Sequence, residues 1–578
     1  MAGSTHPWWK EASIYQVYPA SFQDSNGDGI GDLPGVLSRI DYIKDTGADA
    51  IWICPMYNSP QKDMGYDISD YENVYPPYGT VEDMDAIIVA CHERGMKLLL
   101  DLVINHTSDE HAWFKESRSS KDSPKRDWYI WRPARHDAQG NRRPPNNWSS
   151  HFGGSAWEWD EGSQEYYLHL FAREQPDLNW ENEETRKAIY ETSMHFWLRK
   201  GVDGFRVDTV NLYSKVPGLP DAPFTDPTSE YQFPEGQVSN GPRIHEFLGE
   251  MNAIFAQYGA TMTMGELGPT SNVRKYVSAA AKQLDMAIQF DLVNVGFGPD
   301  VANKYNIGPE DALTLPAVAS AVASIQGILA DSDGWVTTYL ENHDQPRSVS
   351  RWGSDLTDES RVRSAKLLAM FQATLSGTIL IYQGQEIGVT NAPKEWSMEE
   401  YKDVASIDFY EGVKAKTGGD PKALARAFAG LQCLARDHSR IPMSWDASPN
   451  AGFTNGEKPW MRVHDNYALV NVENQLSDEN SVRSFWKKML RFRKEHADLL
   501  VHGIYKAVQD KDLNVLIYEK HSARRKAIVA LNFSGAEQPV QGPPSIEGAE
   551  KGGYLSTYGD LVEGNLRAYE GRVWIGSS

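Results

Sequence analysis

The sequence predicts an α/β protein: a closed (β/α)8 barrel, a small α+β domain inserted after its third strand, and a C-terminal antiparallel β-sandwich. Three observations predict it. One unit recurs along the chain, an amphipathic helix that ends at a glycine and is followed at once by a short apolar strand. About 75 residues rich in Trp, Pro, Arg and Gly interrupt that unit after the third strand, too many for a plain loop. Beyond "SVRSFWKKMLRFRKEH" the pattern changes to short alternating strands.

The recurring unit reads "DYIKDTGADAIWI", "IIVACHERGMKLLLDLVI", "HFWLRKGVDGFRVD", "AIFAQYGATMTMGE" and "FQATLSGTILIYQG". Gly47, Gly95, Gly201, Gly259 and Gly377 stand where a helix C-cap calls for a left-handed residue. "SIYQVYPASF", "MAIQFDL" and "GWVTTYLENHD" bring the strands to eight. Strands that alternate with helices and are apolar on both faces imply a parallel sheet. Eight such units over roughly 400 residues favour a closed barrel over an open doubly wound sheet. The barrel is expected over 1–106 and 182–502 and the inserted domain over 107–181. The sandwich, with "NVLIYEK", "AIVALNF" and "GRVWIGS", is expected over 503–578.

Composition narrows the function. A net charge of -22 over 578 residues argues against nucleic acid or an anionic membrane as partner. No apolar run is long enough to span a bilayer, and the start "MAGSTHPWWKEAS" lacks the core of a secretory signal. Cys54, Cys91 and Cys433 form neither a disulfide framework nor a zinc spacing, so a reducing cytoplasm is the simplest compartment. Aromatics make up 11%, and several cluster with Asn, Asp and His, as in "NNWSSHFGGSAWEWDEG". That mixture suits flat, hydroxyl-rich ligands.

In a barrel of this kind, chemistry sits where strands end and loops begin. Those ends carry Asp101, Asn105 and His106 in "DLVINH", Arg206 and Asp208 in "GFRVD", and Glu266 in "MGEL". "ENHD" adds Glu341, Asn342, His343 and Asp344. Each alone reads equally well as an internal ion pair or a capped turn. Together on one rim they put many carboxylates beside few cations, an arrangement that persists at functional sites. Two carboxylates across a glycosidic bond are the minimum apparatus for sugar hydrolysis. No G-x-S-x-G elbow, H-E-x-x-H or Walker A sequence occurs.

"DLVINH", "GFRVD", "GEL" and "ENHD", in this order on strands three, four, five and seven, resemble the signature regions of glycoside hydrolase family 13. "QPDLNW" is similar to the extra motif of its oligo-1,6-glucosidase and α-glucosidase branch, and the likeness is strongest to yeast and fungal maltases and isomaltases. The resemblance implies that Asp208 is the nucleophile, Glu266 the general acid and base, and Asp344 the carboxylate that holds sugar hydroxyls. The two reacting carboxyls are then expected about 5–5.5 Å apart, the separation for retention. Arg206 would keep the nucleophile ionised and aimed. The resemblance makes His106 and His343 hydroxyl-binding histidines, and Asp63 and Tyr66 of "DMGYD" the residues that hold and stack the terminal glucosyl unit. Arg440 of "RDHSRIPMSW" resembles the arginine paired with Asp63, and Phe152, Phe171 and Gln175 match pocket walls. "RIPMSW" departs from the common "RTPMQW" at Ile441 and Ser444. Thr209 and Gly268 match positions that distinguish maltases from isomaltases. They imply a preference for α-1,4 over α-1,6 linkages in maltose and short oligosaccharides, while the resemblance as a whole implies an exo-acting α-glucosidase with a covalent glycosyl-enzyme intermediate and some transglucosylation. A monomer or weak homo-oligomer is expected.

"DSNGDGIGD" places Asp24, Asn26, Asp28 and Asp32 at positions 1, 3, 5 and 9 of a calcium loop, with the Ile30 carbonyl at 7. Position 12 is Gly35, not glutamate, so the residues leave a plain Gly/Asp turn equally open. The resemblance implies a structural calcium or magnesium ion there, and no cofactor for catalysis. Two other functions fit the same motifs: a transglycosylase or isomerase of the family, and a non-enzymatic relative of transporter heavy chains. The last group carries a membrane anchor and loses catalytic carboxylates.

Overall fold

Eight parallel strands ring the centre of the molecule in this computed structural model, which describes residues 6–577 except 260, 269, 271, 299–303, 309–312, 331, 509–513, 541–552 and 561–563. They are β1 (Ser13–Val17), β2 (Ala50–Ile53), β3 (Lys97–Leu102), β4 (Gly204–Val207), β5 (Met262–Glu266), β6 (Met286–Ile288), β7 (Thr337–Thr338) and β8 (Thr378–Tyr382). Consecutive strands pair except β6 with β7, and β1 returns to β8. A parallel bridge between Ala287 and Val336 brings β6 to the edge of β7 and closes the ring. The predicted barrel is therefore the fold.

The strands form because nearly every residue in them is buried on one side or the other. Ile51, Ile53, Leu98, Leu100, Phe205 and Val207 pack outward with the helices into the largest apolar cluster. Ile14, Trp52, Leu99, Met264 and Leu380 fill the barrel's inside. Three later helices matter below: α1 (Asp358–Thr374), α2 (Val404–Thr417) and α3 (Val482–Glu495). A Thr357–Ser360 capping box starts α1.

The expected glycine caps hold at Gly47 and Gly201, which end their helices in the left-handed region. Gly377 has a different job. Its helix already ends at Thr374, and Gly377 (φ 126°) passes so close to Val336 that a Cβ would stand 2.7 Å from that carbonyl oxygen. It is a point of close strand approach, not a cap.

Between β3 and the helix Glu183–Ile189 lie the helix Ala112–Ser119 and a three-stranded antiparallel sheet of Trp131–Arg132, Glu165–Leu168 and Trp157–Asp160. Trp148, Trp157, Leu168 and Leu170 give this segment a core of its own, which Leu212 and Leu219 from the loop after β4 complete. That shared core sets the segment over the end of β4. At the other end of the chain, β9 (Ile504–Ala507), β10 (Val515–His521), β11 (Arg525–Asn532), β12 (Tyr554–Ser556) and β13 (Gly571–Ser577) form an antiparallel sheet in the order β9-β10-β11-β13-β12. Among the described residues the layer facing it is not a second sheet but α1, through Phe371 against Phe533 and Thr374 against Tyr518.

Candidate active site

β4 and its two neighbours build the centre of the site. Arg206 on β4 lies directly opposite Asp101 on β3, and on its other side opposite Met264, two residues before Glu266 on β5. Alternation then aims Asp101, Arg206, Asp208 and Glu266 to the barrel axis. The Arg206 guanidinium, 2% exposed, binds all three carboxylates: Asp101 at 2.7 Å, Asp208 at 2.6 Å and Glu266 at 2.6 Å. It lies beneath them and does not line the cavity.

One cation cannot neutralise three buried anions. Burial pushes Asp208 up to about 6 and Glu266 up to about 7, in each case against the pull of Arg206. Asp208 and Asp344 add their repulsion at Glu266. Glu266 has a higher value than Asp208 and is the better keeper of a proton. Thr209 holds both: its N–H donates to Glu266 at 3.0 Å and its hydroxyl to Asp208 at 3.1 Å. It does so from a left-handed backbone (φ 39°), a costly conformation for a β-branched residue.

A second acidic cluster faces the first, and here cations are plentiful. Arg436 binds Asp63 at 3.0 Å, Asp344 at 3.1 Å and Asp403 at 2.8 Å. Arg440, one helical turn on, binds Asp344 at 3.1 Å and Asp403 at 2.6 Å. The partner of Asp63 is thus Arg436, not Arg440 as expected. Residues four apart share a helix face, and the earlier arginine is the one that reaches the cavity. Burial would raise Asp344, but the charges of His343, Arg436 and Arg440 outweigh it and hold the carboxyl well below the usual range.

Around these clusters stand the other expected residues. Tyr66 stacks on His343 at 5.3 Å and 6°, and its hydroxyl donates to Asp101. Gln16 donates to His343 Nδ1 at 2.8 Å, which leaves the ring proton on Nε2, facing Tyr66 and Asp344. The Gln175 amide reaches Asp63 at 3.2 Å and His106 at 3.1 Å. Phe152 packs edge-on against Phe171. Asp63, Tyr66, His106, Phe152, Phe171, Asp208, Thr209, Glu266, Asp344 and Arg436 line one cavity of about 620 Å³. Gly268 does not join them. Its N–H donates to Asn211, and a Cβ there would meet the Asn211 amide at 3.3 Å. His151 and Lys304 also line the cavity. Neither belongs to a spacing motif, although His151 falls in the aromatic stretch that hinted at hydroxyl-rich ligands.

In the Asp24 loop, Asp24 accepts from the N–H groups of Asn26, Gly27 and Gly29, Asn26 from Asp28, and Asp28 from Ile30. Asp32 accepts from Ser25 and caps the helix Leu33–Ser38 through Gly35. No three acidic or histidine side chains among the described residues stand close enough to hold one metal ion. The donors are all oxygen, however. Asp24 and Asp32 are both buried with no basic partner among the described residues, and the charge of Asp24 adds to burial in raising Asp32. That set fits a hard divalent cation completed by Asn26, the Ile30 carbonyl and water.

The α-amylase catalytic-domain family matches residues 16–503. An α-glucosidase of Candida albicans is 49% identical over 99% of this chain and 100% of its own. An oligo-1,6-glucosidase of Saccharomyces cerevisiae is 47% identical over 98% of both chains. Among solved structures, trehalose-6-phosphate hydrolase of Bacillus licheniformis superposes with a TM-score of 0.89 at 39% identity, covering 99% of this chain and 100% of its own. Trehalulose synthase of Pseudomonas mesoacidophila does so with 0.90 at 38%, covering all of both chains.

The Arg436 cluster makes a stability prediction. Asp344 and Asp403 titrate below the ordinary carboxylate value when folded. Their contribution is therefore present above the unfolded pKa and lost as pH falls through the folded ones. Arg436→Met should cost about 3–5 kcal/mol at neutral pH by leaving buried carboxylates short of a partner. The deficit in melting temperature should shrink on acidification. A deficit independent of pH would contradict this reading.

Proposed function

The chain belongs to the α-amylase family of glycoside hydrolases and is an α-glucosidase, and we propose that it removes single terminal glucose units with retention of configuration. The observation that carries this reading is the unequal pair on Arg206. Glu266, with the higher pKa, gives its proton to the glycosidic oxygen, while the Asp208 carboxylate attacks C1 and the C1–O bond breaks. Glu266, now ionised, then takes a proton from water as the water oxygen displaces Asp208 from C1. Asp344, held ionised, accepts hydrogen bonds from hydroxyls of the glucosyl ring.

Asp63, fixed by Arg436 and Gln175, closes one end of the cavity with Tyr66 and His106, and a closed end supports exo action. We also propose a preference for α-1,4 over α-1,6 linkages, supported by Thr209 on the cavity wall. Identity alone does not separate the two, because relatives named for either activity lie within a few per cent of each other. Transfer to a second sugar competes with water for the same intermediate, and the likeness to trehalulose synthase favours keeping that reading open. In the Asp24 loop we propose a structural calcium ion. The free thiols Cys54, Cys91 and Cys433 support a cytoplasmic setting, and no helix among the described residues is long and apolar enough to cross a membrane. A monomer or weak homo-oligomer fits this reading.

Two experiments test it. Wild type should release α-glucose from maltose, with a specificity constant above that for isomaltose by about 10–200-fold. Asp208→Asn should lose at least about 10³-fold in turnover while staying folded. Glu266→Gln should fail on maltose yet keep partial activity on an aryl glucoside whose leaving group needs no proton. Release of β-glucose, or full turnover by Asp208→Asn, would overturn the mechanism. Chelation should lower the melting temperature and added calcium restore it by mass action, with activity in the cold unchanged. Indifference to both would return the loop to a plain turn.

A further inference from the structure

A row of rings leads outward from the closed end of the cavity: His106 to Phe171 at 5.1 Å, Phe171 to His151 at 4.6 Å, and His151 to Phe233 at 5.0 Å. Phe171 and His151 are nearly parallel, at 9°. His106 serves the glucosyl end, so His151 stands two rings further out, where the departing unit has to sit. Its imidazole has no hydrogen-bond partner among the described residues. Lys304 lines the same cavity from the stretch after β6, with its ammonium 4.8 Å from the Tyr305 ring and no ion pair among the described residues.

Two polar side chains from different elements thus face one cavity without hydrogen-bond or ion-pair partners among the described residues. Unmet donors and acceptors at such a place cost free energy until a ligand or water meets them. Burial holds the His151 ring at about 4, so at neutral pH it can both donate and accept. Lys304 is lowered to about 8, first by burial and then by the charge of Arg436, and offers three donors while protonated.

We propose that His151 and Lys304 bind the hydroxyls of the leaving sugar and of an acceptor sugar, and so decide how often the glucosyl group passes to a second sugar instead of to water. This rests on the α-glucosidase reading above. In the transfer step an acceptor hydroxyl oxygen bonds to C1, the C1–Asp208 ester breaks, and the hydroxyl proton goes to Glu266. An acceptor held against Phe171 by these two residues occupies the position from which that attack is made.

His151→Phe and Lys304→Met test it in the full chain. Each should raise the KM for maltose by about 3- to 10-fold, the worth of one or two hydrogen bonds. The KM for p-nitrophenyl α-glucoside, whose leaving group has no hydroxyls to bind, should change less than about twofold by the same reasoning. At high maltose the ratio of trisaccharide to glucose should fall. His151→Asn and Lys304→Arg, which keep polar atoms, should recover part of both effects. Wild-type values for maltose KM and transfer ratio would overturn the proposal, as would equal rises in KM for both substrates. Failure of wild type to cleave the aryl glucoside would instead strike the α-glucosidase reading.

Discussion

One guanidinium shared by three buried carboxylates is the constraint on which this site depends. Arg206 cannot balance Asp101, Asp208 and Glu266, so the group must keep a proton, and its position within the group defines the chemistry. The second cluster has two arginines, Arg436 and Arg440, for Asp63, Asp344 and Asp403, and they hold Asp344 and Asp403 below the usual carboxylate range. The ratio of cations to carboxylates thus separates a group with raised carboxyls from one with lowered carboxyls on the same cavity. Both arrangements are costly to bury. The barrel supports them because its strands are anchored by apolar packing on their outer faces, leaving the inner ends of β3, β4 and β5 free to carry charge.

Much of this was legible in the chain. Strands of a parallel barrel are buried on both faces, so "AIWI" and "KLLLDL" announce themselves by composition, and "GFRVD" by putting Arg206 and Asp208 on one face. Their partner Asp101 was visible too, since the barrel order brings "DLVINH" beside "GFRVD". What pattern could not decide was reach. Arg436 and Arg440 lie on one helix face, and only the packed position of that helix selects Arg436 for Asp63. Gly268 was assigned by its place in a motif, yet the backbone turns it against Asn211. The C-terminal strands were read correctly as antiparallel, whereas the helix α1 that faces them belongs to a distant part of the sequence. His151 and Lys304 lie in irregular segments with no periodicity to read.

The same geometry explains how relatives with different names share one fold. On the proposed reading, Asp63, Tyr66, His106 and Arg436 recognise a glucosyl unit, and the Arg206 group activates it. Neither fixes what stands on the other side of the bond. That side is formed by the inserted segment, the stretch after β6 and α2, which are the variable parts of a barrel. Hydrolysis, linkage choice and transfer then differ by contacts worth a few kcal/mol laid over a common proton-sharing core.

The most direct test of that core is the pH dependence of kcat/KM for an aryl α-glucoside, which reports the free enzyme's acid and base. Asp208 must be ionised and Glu266 protonated. The account therefore predicts a narrow bell whose limbs fall at about 6 for Asp208 and about 7 for Glu266. A profile with its maximum at about pH 4, falling about tenfold per pH unit above it, would mean that the two carboxyls titrate as ordinary, independent groups. That result would contradict the claim that Arg206 holds them as one proton-sharing unit.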